Sequence, residues 1–321
     1  MIYRQLGKTG LQVSQAGFGC APLGDEYGGI NDENSTRLVH TAIDQGINLF
    51  DTSPYYGRTL SETRLGQALV GRRDEVVLAT KGGRFDAPLE TGFDFSYASI
   101  MRMCETSLKR LKTDRIDIYQ LHDIEFGDQA VVINEGIPAL QQLKKDGKVR
   151  FIGVTGYPLA LLAQTVKSQD LDLTLSYCHY SLLNQSLNSG LVPAVTAKGL
   201  GLINASITHM GMLTDQGPQP WHPAAEKIKA VARAAALHCR THGVSLAGLA
   251  IQFALQNPHV DCTLLGPRTE AELLGSLPLL NSVPDPALLA AVQAIIEPAV
   301  NLSWQTGRPE HFEPGALALE K

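Results

Sequence analysis

The run IDIYQLH, residues 116–122, is short, largely apolar and closed by a histidine. A segment of this kind, apolar on both sides, suits a parallel strand covered by helices. Seven more runs share its character: AGFG (16–19), NLFD (48–51), VVLAT (76–80), VRFIGVT (149–155), LDLTLSY (171–177), LGLINAS (200–206) and DCTLLG (261–266). Helix-like segments lie between them. Residues 33–45 follow an Asn-Asp start and stop at Gly46, a C-terminal stop signal. Residues 98–111 bring Ile100, Met103, Ser107 and Leu111 to one side, residues 136–146 end at Gly147, and residues 245–256 run from Ser245 to just before Pro258. Strand then helix, eight times without interruption, predicts an α/β fold of the (β/α)8 TIM-barrel type. A doubly wound sheet is the alternative, but GFGCAPLG after the first run does not fit the GxGxxG of a dinucleotide-binding turn.

Two parts fall outside the repeats. The start, YRQLGKTGLQV, predicts a β-hairpin around Lys8-Thr9-Gly10 that closes the bottom of the barrel. Residues 286–299 predict an extra C-terminal helix, followed by a loop-like tail holding Trp304 and Arg308. With no linker or low-complexity segment, residues 1–321 read as one domain.

Composition narrows the function. Net charge is −5, without a basic run, so neither nucleic acid nor an anionic membrane is an expected partner. No secretory leader pattern opens the chain, and no stretch approaches the roughly 18 apolar residues of a membrane span. The five cysteines are scattered, with no CxxC pair. They read as reduced thiols of a cytoplasmic protein, not as a disulfide frame or a metal site. His238 and His242 stand four apart, a spacing that suits zinc, but a solvated helix face is the better reading and no metal is expected.

In a barrel of this type the chemistry gathers at the C-terminal ends of the strands. The second run ends at Asp51, with Tyr55 and Tyr56 in the loop beyond; the third gives Lys81, the fourth His122 and Asp123, the fifth Thr155, the sixth Tyr177. Taken singly, a tyrosine there is ordinarily packing, a lysine a solvated charge and a histidine a structural residue. Together they describe proton transfer by a tuned phenol. A phenol with a pKa near 10 is a poor base, an ammonium beside it favours the phenolate and is expected to lower that pKa, a carboxylate holds that ammonium, and an imidazole orients the substrate oxygen. Asp51, Tyr56, Lys81 and His122 supply these roles, and one residue of register separates Tyr56 from Tyr55.

At these residues the chain resembles the aldo-keto reductase family, and within it the branch of L-galactose and L-fucose dehydrogenases, from LGKTGLQVSQAGFG to about residue 280. FDTSPYYGRTLSE, ATKGG and YQLHD resemble its catalytic segments, which selects Tyr56 over Tyr55 and adds Lys81 and His122. HDIEFG, LSYCHY and GPQPWHPA are similar to the sugar-dehydrogenase branch in particular. The resemblance implies NAD or NADP bound extended across the barrel mouth, and hydride transfer without a metal. It also implies cofactor contacts at Thr155, Gly156 and Tyr177, at Ser206, Met210, Gly211 and Leu213, and at Gly266, Arg268, Glu272 and Ser276. The chain departs from the pattern at the nicotinamide end. Thr155-Gly156 replaces Ser-Asn, Tyr177 replaces a glutamine, and Ala205 replaces a stacking tyrosine.

The expected function is therefore an NAD(P)-dependent sugar dehydrogenase that oxidises C1 of an L-galactose- or L-fucose-type aldose to the lactone. Besides Tyr56 and His122, substrate contacts are expected from Asp123, His179, Trp221, His222 and Trp304, polar partners that a hydroxyl-rich substrate needs. An NADPH-dependent aldehyde or ketone reductase and a non-catalytic subunit of the same fold are the alternatives. The intact tetrad counts against the second. A monomer or weak homo-oligomer is expected. At the adenosine end Arg268 favours a 2′-phosphate and so NADP, whereas Glu272, four residues on, favours the free 2′-hydroxyl of NAD. NAD is slightly favoured.

Overall fold

The computed structural model describes residues 1–86, 88 and 91–319. A hairpin, β1 (Tyr3–Gln5) with β2 (Gln12–Ser14), precedes eight strands: β3 (Ala16–Gly19), β4 (Leu49–Asp51), β5 (Val77–Gly82), β6 (Ile116–Leu121), β7 (Val149–Gly156), β8 (Leu173–Tyr177), β9 (Gly201–Ala205) and β10 (Cys262–Leu265). All eight are parallel and close on themselves, β10 pairing with both β3 and β9. Each predicted run became a barrel strand, and the doubly wound alternative falls away. The (β/α)8 barrel has its hairpin and its extra helix, Pro286–Ile296, where the sequence puts them.

The helices keep their predicted ends to within a residue or two. Asn31 and Ser245 cap Asp32–Asp44 and Leu246–Leu255, their side chains accepting the amides of Asn34 and Gly248. In the helix Tyr97–Arg110, the side chains of Ile100, Met103 and Ser107 are buried against the barrel. The segment before Ile137–Lys145 departs from the plain helix expected over 136–146. One π turn, Val132–Gly136, leads into it, and Pro138 stands within its first turn, where no amide is needed.

Side chains alternate along each strand, which sorts them into two cores. Phe18, Phe50, Tyr119, Ile152 and Val154 point outward and meet the helices. Leu49, Val77, Ala79, Ile118, Leu173, Leu175, Ile203, Cys262 and Leu264 fill the barrel from inside. The hairpin completes this inner core from below, burying Leu6, Leu11 and Val13 in it. Two hydrogen bonds tie it on: the Gly7 amide donates to the Asp261 side chain at Oδ2, 3.1 Å away, and that of Lys8 to the Gly199 carbonyl at 2.8 Å. Leu6→Ala should therefore empty the barrel floor and destabilise the fold by about 2–5 kcal/mol, read as a lower denaturation midpoint.

Candidate active site

The alternation that fills the barrel also aims its upper residues. With Leu49 inside, Asp51 points inward; with Val77 and Ala79 inside, so does Lys81; with Ile118 inside, so do Gln120 and His122. Strand register sets them at neighbouring heights, Asp51 opposite Ala79 and Lys81 opposite Gln120. Lys81 Nζ donates to Asp51 Oδ1 at 2.5 Å, to the Thr52 carbonyl at 2.9 Å and to the Tyr56 hydroxyl at 3.3 Å. Gln120 Nε2 braces the other Asp51 oxygen at 3.2 Å. Tyr56 comes from the loop after β4, where Gly57 makes a left-handed turn at φ 59°. A Cβ at Gly57 would lie 2.2 Å from the Gly24 carbonyl oxygen, so only glycine allows this approach. Tyr55, the competing phenol, turns away and lies on Arg84, the guanidinium carbon 3.6 Å from its ring centre.

Asp51 and Lys81 are almost completely buried. Burial draws the Asp51 carboxyl upward and Lys81 draws it down; at this distance the pair stands as an ion pair. Burial also opposes the Lys81 charge, yet Asp51 outweighs it and holds the ammonium above the ordinary lysine range. Tyr56 differs from expectation. Burial pushes its phenol up to about 12, and Lys81 recovers only part of that rise. The expected net fall below a free phenol is absent because desolvation is the larger effect here. His122 is held neutral, first by burial and then by the charges of Lys81 and Arg84. Ser53 Oγ already accepts the Tyr55 amide at 3.1 Å and lies 2.9 Å from His122 Nδ1. When the serine proton is given to Nδ1, the neutral ring carries its own proton on Nε2.

Two residues missed by the sequence reading shape the rim. Arg84 pairs with Asp123, which is buried and sits within 3.7 Å of His122 Nε2. Tyr27 sets its ring edge-on to half-exposed Trp221 at 5.8 Å, joining two loops across the mouth. Arg84 follows the ATKGG segment by one residue and was legible as a candidate; Tyr27 lies in a loop without periodicity. Ser53, Gln120 and Glu125 were also missed, although Gln120 lies inside a quoted motif at strand period two from His122.

Other predicted residues are engaged elsewhere. His179 is buried with Nδ1 2.9 Å from Ser186 Oγ and its ring on Tyr157. His222 spends both ring nitrogens on backbone, 2.9 Å from the His209 carbonyl and 3.1 Å from the Ala224 amide, and so fastens the loop it belongs to. Trp304 is buried among Tyr157, His209 and His222. All three are buried in the aromatic packing that the C-terminal tail completes, and His179 Nε2 has no hydrogen-bond partner among the described residues. His238 and His242 touch only each other and the helix end, and no three-residue metal cluster occurs among the described residues.

The expected cofactor residues form an arc around the mouth. Thr155 is held by Asp123, accepting its amide at 3.0 Å, and Gly156 and Tyr177 end the adjacent strands β7 and β8. Ser206, Met210 and Gly211 have φ of 54°, 52° and 91° in the loop after β9, which exposes amides in the manner of an anion-binding turn, with Leu213 buried beneath. Gly266 packs near Pro22, and Ser276 bonds back to the Glu272 carbonyl at 2.8 Å. Arg268 is committed already: its guanidinium meets Glu272 at 3.1 Å and the Tyr27 carbonyl at 2.8 Å. The site thus pairs a cationic, phenol-bearing floor with a loop of left-handed residues, and buried Glu125 Oε2 has no partner among the described residues. These features fit a nicotinamide dinucleotide.

Fold and site define an oxidoreductase of the barrel type, and comparison with known proteins agrees. Residues 16–297 match the Aldo/keto reductase family, and the chain belongs to it. It is 42% identical over 314 residues to the Arabidopsis thaliana protein named L-galactose dehydrogenase, covering 95% of this chain and 97% of that one. It is 31% identical to a Pseudomonas D-threo-aldose 1-dehydrogenase over 83% of this chain and 88% of that one. Among solved structures, the holo form of an aldo-keto reductase from Bacillus halodurans superposes with a TM-score of 0.74 at 27% identity, over 97% of this chain and 99% of its own. The protein is an oxidoreductase that uses a nicotinamide cofactor, and its sugar-dehydrogenase relatives place its substrates among small molecules.

The buried pair gives a stability test. Lys81→Met leaves Asp51 without its cation and should cost about 3–5 kcal/mol of stability. The double variant Asp51→Asn, Lys81→Met should recover much of that loss in the denaturation midpoint.

Proposed function

We propose that the enzyme oxidises C1 of an L-galactose- or L-fucose-type aldose to the lactone, with NAD preferred over NADP. The observation that carries this reading is the Tyr56 hydroxyl 3.3 Å from a buried ammonium, with the ring of a neutral His122 centred 5.7 Å from that of Tyr56. When bound, the nicotinamide supplies the acceptor for the C1 hydride. Tyr56 as phenolate takes the proton of the anomeric hydroxyl, and that oxygen becomes the lactone carbonyl. Lys81, fixed by Asp51, stabilises the phenolate before transfer, and His122 Nε2–H orients the substrate oxygen. The Arg84–Asp123 pair and the Trp221 edge present polar and aromatic surfaces to the remaining sugar hydroxyls and ring face. Support for the substrate class comes from the names of the Arabidopsis and Pseudomonas relatives.

Tyr56→Phe should lower the turnover number by about 10²–10⁴-fold while dinucleotide still binds. Tyr55→Phe should be mild, and the reverse ranking would give the phenol role to Tyr55. A phenol raised to about 12 is mostly protonated at neutral pH, so its base form grows about tenfold per pH unit below that value. Sugar oxidation should accordingly rise with pH where chemistry limits the rate, and a profile flat from pH 6 to 10 would count against a phenolate base.

NAD preference rests on the adenosine end. A 2′-phosphate has to draw Arg268 away from Glu272 and meets that carboxylate's charge, whereas a free 2′-hydroxyl is able to donate to it. Glu272→Gln should raise the NADP-to-NAD ratio of kcat/KM, and Arg268→Ala should lower it.

A further inference from the structure

Behind the nicotinamide end lies a carboxyl that the reaction above does not use. Glu125, in the single turn Ile124–Phe126 after β6, is completely buried. Its Oε1 accepts the Tyr157 amide at 3.0 Å and the Tyr177 hydroxyl at 3.4 Å. Its Oε2 has no partner among the described residues. The turn is clamped from the C-terminal tail, where the Arg308 amide and His311 Nδ1 reach the Glu125 carbonyl at 3.0 and 2.7 Å.

Gly156 explains why this carboxyl has room. A Cβ there would lie 2.8 Å from Glu125 Oε2, inside any real contact distance. A side chain at position 156 would therefore displace the Glu125 carboxyl from this place. Gly156 is also the position at which the resemblance above called for an asparagine amide, and Tyr177, which meets the same carboxyl, stands where it called for a glutamine. Both departures from the pattern thus converge on Glu125.

We propose that Glu125 is the positioning residue of the nicotinamide end. Its carboxyl anchors the Tyr177 hydroxyl so that the phenol oxygen accepts from the cofactor's carboxamide, a task for which Gly156 has no side chain. The proposal rests on the dinucleotide reading of the site. Tyr177 is half-buried at the end of β8, its hydroxyl proton spent on Glu125, which leaves the oxygen's lone pairs as acceptors. Burial, reinforced by the negative charge of Asp123, raises the Glu125 carboxyl well above the usual range. In either protonation state the carboxyl keeps an oxygen that accepts from the Tyr177 hydroxyl. A glutamine would offer the same acceptor, and a leucine none.

The test is calorimetric titration of the full-length protein with NAD and with ADP-ribose, which lacks the nicotinamide. Tyr177→Phe and Glu125→Leu should each weaken NAD about tenfold, the size of one lost hydrogen bond at its upper range, and leave ADP-ribose within about twofold. Glu125→Gln should stay close to wild type for both ligands. In the Tyr177→Phe background, Glu125→Leu should add nothing further. Should Glu125→Leu not fold, Tyr177→Phe and Glu125→Gln decide the matter by themselves. Equal shifts for NAD and ADP-ribose, or unchanged NAD affinity in Tyr177→Phe, would overturn the proposal. A wild type that binds neither ligand would instead overturn the cofactor reading.

Discussion

Lys81 carries its charge where water does not reach, and the upper barrel is arranged around that fact. An isolated buried ammonium loses its proton or unfolds its surroundings. Here Asp51 meets it at 2.5 Å, the Thr52 carbonyl takes a second proton, and Gln120 steadies the far carboxylate oxygen. The third proton points at Tyr56. Because every other direction is taken, the cation's remaining field falls on one phenol, and the chemistry follows from that saturation.

The same field explains the neighbouring imidazole. A second cation beside Lys81 and Arg84 is disfavoured, so His122 stays neutral, with Ser53 Oγ at hydrogen-bond distance from its Nδ1. Charge on the floor thus keeps the imidazole on the wall uncharged. Asp123, pinned by Arg84 and Thr155, ends the polar layer on that side, and its charge adds to the burial that draws the Glu125 carboxyl upward.

The tail after the last helix is more than an end. Trp304 packs on Tyr157, Arg308 and His311 hold the turn of Glu125, and the Glu313 carboxylate accepts the Leu159 and Ala160 amides at the start of helix Leu159–Ser168. That carboxylate lies where the helix dipole favours an anion. The tail and the loops from β3 and β9 therefore converge on one rim, while the hairpin seals the opposite end. One end of the barrel is packed for stability and the other is left for chemistry.

Sequence by itself determined the barrel, because each strand is a short apolar run and each helix carries its own caps; these are local signals. It also placed Asp51, Lys81 and His122, since a period of two from Leu49, Ala79 and Ile118 aims them at one axis. The hairpin's role as a floor was legible from Leu6 and Val13 for the same reason. Tertiary structure alone decided the rest. That His222 fastens a loop, that Trp304 lies against Tyr157 and His209, and that Arg84 answers Asp123 depend on segments far apart in the chain. The sign of the Tyr56 shift was misjudged because the ammonium is visible in sequence but the depth of burial opposing it is not. Glu125 and Gly156 are thirty-one residues apart, and only closure of the barrel sets one carboxyl oxygen in the space where the other has no side chain.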